Sequence, residues 1–190
     1  MRRFRKNYLE QFYTIDRDTG KIIIEISIED YNDIFNSWDS SVYNVRDLDS
    51  SLKTFLQDCS YDIDLYHDII LRFNLYEEDR DPKVEETITK GIRNYFRYYF
   101  HVTKNRVSAK RKKSLLHILI SVMFITVSYI LKDTLNQDIF NNVLLQGLAV
   151  GGWVFLWEAF SVLFIQNSDM VKTKKEYKRL LNAPMEFRYL

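Results

Sequence analysis

Residues 143–165, VLLQGLAVGGWVFLWEAFSVLFI, decide the fold of this chain. About 20 apolar residues, each rising about 1.5 Å, cross a hydrocarbon core of about 30 Å as one helix. The stretch meets that length and carries one acid, Glu158, and no base. It also holds Gly147, Gly151 and Gly152, three of the chain's five glycines. A second apolar run, residues 115–131, precedes it. Two such runs joined by a short connection predict an antiparallel transmembrane helical hairpin, with the lipid bilayer as its first partner.

The charges around these runs assign a direction. Arg106, Lys110, Arg111, Lys112 and Lys113 precede the first run, and Lys172, Lys174, Lys175, Lys178 and Arg179 follow the second. The connection around residues 132–138 offers only Lys132 as a base, beside Asp133 and Asp138. Lysine and arginine are retained on the cytoplasmic side of a membrane. Both termini are therefore expected in the cytoplasm of a bacterial inner membrane, with the connection outside.

Within the second run, Gly147 and Gly151 are four residues apart and form a flat strip, which Gly152 widens. Small residues let helix backbones approach closely. The strip suits packing inside the hairpin or the seam of a homo-oligomer. Glu158 is costly in an apolar span unless paired or neutral. It is expected about seven residues from the cytoplasmic end, level with Ser121 and one turn from His117, either of which satisfies it. The alternative is an oligomeric ion- or proton-conducting path lined by Glu158, Gln146 and His117. Trp153, near mid-span, and Trp157 read as packing bulk.

Outside the runs the chain reads as a small α+β domain. Its 190 residues carry a net charge of +1, which hides strong segregation. Residues 21–86 hold 17 acids against 6 bases. An acidic domain is a poor partner for nucleic acid, and the basic clusters read as membrane flanks. The basic N-terminal segment, residues 1–20, lacks the apolar core of a cleavable signal peptide and ends in the turn Asp18-Thr19-Gly20. Cys59 is the only cysteine, so no intramolecular disulfide forms, which suits a reducing compartment.

Residues 21–28 alternate, with Ile22, Ile24, Ile26 and Ile28 on one face, and read as a strand; Ile23 makes the second face partly apolar. Residues 29–46 form an irregular connection in which Phe35 and Trp38 are expected to plug the loop onto the core, with a docking anchor for a protein partner as the functional alternative. Residues 47–58 predict a helix with the stripe Leu48, Leu52, Phe55 and Leu56. Residues 67–76 predict a second strand, with Ile69, Leu71, Phe73 and Leu75 on one face. After the acidic turn at 77–81, Pro82 opens a helix with the stripe Val84, Ile88, Ile92, Tyr95, Tyr99 and Val102. Periodicity leaves open whether this helix bends at 107–110 or runs on into the first span. A basic helix over 169–181 ends at Pro184, and Met185, Phe187 and Tyr189 fit a short third strand.

No catalytic signature is present. Gly20 is the only glycine before Gly91, so there is no phosphate-cradling loop. There is no His-Glu-x-x-His pair, no paired cysteines and no Gly-x-Ser-x-Gly elbow. His67, His101 and His117 are scattered, and Asp58, Asp62, Asp64 and Asp68 lack the spacing of a calcium loop and read as a solvated surface. No metal and no cofactor are expected.

Three segments carry a family resemblance: FNSWDSSVYNVRDLDSSLKTFL at 35–56, GIRNYFRYYFHVTKNRVSAKRKKSLL at 91–116, and GGWVFLWEAFSVLF at 151–164 with KEYKRLLNAP at 175–184. In order and spacing they resemble a broad bacterial family of uncharacterised two-span membrane proteins. Its members share the Arg-Asp-Leu-Asp segment, the aromatic helix, the Gly-Trp-Val-x-x-Trp span and the Tyr-x-Arg-Leu closing helix. The chain departs from that pattern at Ala159, where members carry proline, and at Ser161, where they carry an acid. The resemblance implies the two-span topology and no activity.

The resulting expectation is a polar segment at 1–20, a cytoplasmic βαβα-type domain at 21–106, a membrane hairpin at 107–167, and a basic helix and terminal strand at 168–190. The expected role is a membrane-anchored sensor, adaptor or effector, not an enzyme, acting through homo-oligomerisation and a cytoplasmic protein partner. A membrane-perturbing defence effector is one version of it.

Overall fold

A computed structural model describes residues 11–42, 46–76, 80–134 and 138–190, with Asp133 described by its backbone alone. Most of the acidic turn at 77–81, the centre of the connection at 132–138, and residues 1–10 of the basic N-terminal segment lie outside the described residues. The chain is α+β. Its elements are β1 (Thr14–Ile15), β2 (Ile22–Ile28), a 3-10 turn (Tyr31–Ile34), α1 (Ser50–Asp62), β3 (Ile69–Leu75), α2 (Pro82–Thr134), α3 (Ile139–Phe160), a π-helical turn (Ser161–Gln166), α4 (Ser168–Asn182) and β4 (Met185–Tyr189). Two compact units result: Met1–His101 with Lys174–Leu190, and Val102–Thr173.

The first unit is built on a four-stranded sheet in the order β1-β2-β3-β4. β2, β3 and β4 run parallel, with Ile22 opposite Ile69 and Leu71 opposite Met185, and β1 is antiparallel to β2. Alternation along a strand sends successive side chains to opposite faces. The even-numbered isoleucines of β2 and the odd-numbered apolar residues of β3 are accordingly buried on one face. Leu52, Leu56 and Cys59 of α1, Ile88, Ile92 and Phe96 of α2, and Leu180 of α4 cover that face. On the second face Ile23 and Ile70 are also buried. Beside them Arg72 bridges two neighbouring strands, with Nη2 2.9 Å from Glu186 Oε2 and Nη1 3.7 Å from Glu25 Oε1. Opposite charges in register across strands stabilise the pairing.

Several boundaries differ from the sequence reading. α1 starts at Ser50, because Asp49 caps it by accepting from Ser51 N at 2.8 Å and Leu52 N at 3.2 Å. Leu48 precedes the helix and is buried through a bridge to Phe35, while Phe55 points outward at 44% exposure. The buried stripe instead runs Leu52, Leu56, Cys59 and on to Ile63. Phe35 is in the core as expected, but Trp38 is 93% exposed and plugs nothing. The connection also contains the 3-10 turn, capped by Asp30, whose side chain accepts from Asn32 N. β1 went unread, since two residues are too few to show a period. α2 is uninterrupted from Pro82 to Thr134, so the helix does not end at the basic cluster.

α4 is locked to the end of α1 by one guanidinium. Arg179 Nη1 donates to the carbonyls of Asp64 at 2.9 Å and His67 at 3.3 Å. Its Nη2 donates to the Ser60 carbonyl, to Ser60 Oγ at 3.0 Å and to the Ile63 carbonyl at 3.1 Å. The last carbonyls of a helix have no partner within it, and a cation there also opposes the negative end of the helix dipole. Burial pulls the Arg179 pKa below the ordinary arginine value, and Glu176, Asp64 and Asp68 oppose that shift. Beyond Pro184 the chain re-enters the sheet as β4, where the Tyr189 hydroxyl donates to Glu85 Oε1 at 2.5 Å and meets the Tyr31 hydroxyl.

Arg179→Met is expected to lower unfolding stability by about 3 kcal/mol, because buried carbonyls lose a charged donor. Thermal unfolding of the detergent-solubilised chain checks this. A Tm within a degree of the parent contradicts the capping role.

Candidate functional site

The second unit contains the end of α2, α3 and the π-helical turn. A seven-residue repeat joins the two helices. On α2 the repeat is Val107, Ser114, Ser121 and Ser128, and on α3 it is Leu145, Gly152 and Ala159. Ser128 Oγ donates to the Leu145 carbonyl at 2.8 Å, and Ser114 Oγ donates to the Ala159 carbonyl at 2.9 Å. Between them Gly152 faces the Ser121 turn. A methyl group built on Gly152 would lie 3.1 Å from the Ser121 carbonyl oxygen and 2.6 Å from Ile125 Cγ1. Each step of seven along one helix thus matches a step of seven along the other, in opposite directions. That is the period of a left-handed antiparallel helix pair. Small residues at the seam bring the backbones close enough for hydroxyls to reach across.

Aromatic rings fill the flank of this seam. Phe124 meets Phe155 edge-on with centroids 5.7 Å apart, and His117 lies 5.9 Å from the Phe155 ring. Below Ala159 the helix widens into the π turn, where Val162 is buried. Lys110 Nζ donates to the Gln166 carbonyl at 3.2 Å. A π turn shifts the backbone hydrogen bonds by one residue and exposes carbonyls that need another donor.

The three glycines face different surroundings. Gly152 is inside the seam, Gly151 lies against Phe124 with a closest approach of 3.3 Å for an added methyl, and Gly147 has nothing within 4 Å. The residues around Glu158 also fall differently from the expectation. One position before Ala159, Glu158 is level with the Ser114–Leu115 turn, whereas Ser121 is opposite Gly152. The offset is six residues, or about 9 Å along a helix. Ser121 Oγ and His117 Nδ1 are both buried without a hydrogen-bond partner, so neither of these atoms satisfies Glu158. Estimating depth from the ends of the apolar runs misplaced it, because the small-residue repeat sets the register. Glu158 is half-buried beside the turn that follows Lys110–Lys113, of which Arg111, Lys112 and Lys113 are exposed. Gln146 is exposed and twelve residues from Glu158, about 18 Å, so one hairpin does not bring Gln146 and Glu158 together. Lys174 and Lys175 belong to the first unit.

Both helices present their apolar residues outward. Little of the apolar stretch in either helix is buried. Leu119, Met123 and Ile130 on α2, and Val150, Trp153 and Trp157 on α3, are more than half exposed. The core helix of a soluble domain buries such a surface, and these helices do not. Both are thus long and apolar enough to cross a membrane.

The serine repeat went unread in the sequence, although its signal is there: three serines and a Leu-Gly-Ala series share one spacing. Among the described residues no three His, Cys, Asp or Glu side chains converge as for a metal. No family model, curated protein or solved structure matches the chain.

Gly152→Leu is expected to destabilise the hairpin by about 1–3 kcal/mol through overpacking, whereas Gly147→Leu leaves it unchanged. Protease resistance of the second unit in detergent separates the two. Equal effects would contradict the seam.

Proposed function

We propose that the chain is a membrane-anchored sensor, adaptor or effector that works through protein association and not through catalysis. The observation that carries this reading is the outward apolar surface of α2 and α3, with so little of each apolar stretch buried. Such a surface is stable in hydrocarbon, and a helix satisfies its own backbone there. The lysines and arginines at 106–113 and 172–179 favour cytoplasmic termini in a bacterial inner membrane, with the connection at 132–138 outside. In this reading residues 107–167 anchor the chain, and residues 21–106 with 168–190 act in the cytoplasm.

Two features support association. Gly147 alone of the three glycines leaves its backbone open on the outward side, where a second copy of the hairpin could approach. Trp38 stands 93% exposed on a polar loop, and an exposed tryptophan is the residue type most enriched at the energetic centres of protein interfaces. The acidic character of residues 21–86 disfavours nucleic acid and suits a basic protein partner.

A reporter fused after Asp138 that functions only in the cytoplasm is expected to stay silent. Activity from it would reverse the orientation. In mild detergent the chain is expected to run at the mass of more than one copy, and Gly147→Leu is expected to reduce it to one. A monomeric parent chain contradicts the association.

A further inference from the structure

An open cleft of about 630 Å³ lies in the first unit, along α4 and at the starting ends of the parallel strands. Lys21, just before β2, and Lys175 and Lys178 of α4 line it, with Leu65, Tyr66 and Asp68 from the turn that leads into β3. Its volume is in the range of small-molecule sites, about 300–1,000 Å³. None of the three ammonium groups has a carboxylate within ion-pair distance among the described residues. Lys21 comes from a stretch, residues 21–86, that carries 17 acids against 6 bases, and it lines the cleft together with two lysines of the basic helix α4. Arg179 forms part of the same wall, held by the carbonyls of the α1 end, and its buried Nε has no acceptor.

We propose that this cleft binds a phosphate group carried on a larger organic body. Lysine has three donors and no acceptor, so three lysines offer a polar lining that selects an acceptor-only anion. Tyr66 and Leu65 are exposed beside them and supply an aromatic and an apolar surface for the rest of the ligand. Asp68, the one acid in the lining, repels the anion locally and is placed to accept from a hydroxyl on that body. Lys175 and Lys178 are one turn apart on α4, and Lys21 approaches from the sheet, so the phosphate is gripped from two elements. This inference does not depend on the membrane reading. A soluble nucleotide and an anionic phospholipid headgroup share the chemistry, and the test separates them.

The full chain is placed in phosphatidylcholine nanodiscs, and binding of adenosine monophosphate is measured by titration calorimetry. A parallel arm measures binding of a short-chain phosphatidic acid. Binding in either arm supports the phosphate site and identifies its source. The double variant Lys175→Glu/Lys178→Glu is expected to weaken that binding about tenfold or more, since each lysine makes a charge-assisted contact. Lys174→Glu, the same charge change outside the cleft lining, is expected to weaken it less than twofold. Lys178→Met is the milder variant if the double variant does not fold, with a loss of about fivefold or more. No binding in either arm, or an equal loss with Lys174→Glu, overturns the proposal.

Discussion

Apolar surface that water must not touch is the constraint on which this structure depends. The long apolar helices of the second unit bury only a small share of their apolar surface. Each exposed leucine, valine or phenylalanine left in water forfeits about 1.5–3 kcal/mol of burial. No fold of the hairpin alone recovers that, because two helices cover only one face of each other. The remaining faces need a hydrocarbon environment or other chains. Everything else in the second unit follows from meeting the demands of such an environment. Among the described residues its backbone runs in α2, α3, one π turn and the start of α4, and the carbonyl Gln166 offers at the π turn is taken up by Lys110.

In hydrocarbon the hydrophobic effect no longer drives helices together. The seam uses other forces. Ser114 and Ser128 reach across to carbonyls of α3, and Gly152 removes the side chain that would hold the backbones apart at Ser121. The first unit solves a different problem with a conventional means: an apolar sheet face covered by three helices. Its least ordinary contact is Arg179, which closes the C-terminal end of α1 from a helix more than a hundred residues away in sequence. The basic residues after the second apolar run thus have unequal duties. Arg179 is structural, and Lys175 and Lys178 line an open cleft.

Strong periodicity was legible. The alternating isoleucines of β2, the alternation in β3, Pro82 at a helix start and the Met-x-Phe-x-Tyr strand after Pro184 all appear where their patterns place them. Contacts between distant or irregular segments were not. Leu48 fits a helical stripe by spacing, yet it is buried by pairing with Phe35 outside the helix. Phe55 fits the same stripe and is exposed, because the stripe turns toward Cys59 and Ile63. The partners of Arg179 are backbone carbonyls, which have no residue type and leave no mark in a sequence. The depth of Glu158 failed for a related reason. Counting from the ends of apolar runs measures each helix alone, whereas the register belongs to the pair.

Trp153 gives the most direct test that the apolar surface is covered by lipid. Trp38 and Trp157 are exposed, so both can be replaced by phenylalanine, leaving Trp153 as the single indole in the chain. The full chain is reconstituted in vesicles, and its emission is measured with lipids brominated near the acyl-chain centre and with aqueous iodide. The account predicts strong quenching by the brominated lipids and almost none by iodide, since Trp153 stands next to Gly152 near the middle of the seam and faces outward. Efficient iodide quenching together with no response to brominated lipids would place that surface in water and contradict the membrane hairpin.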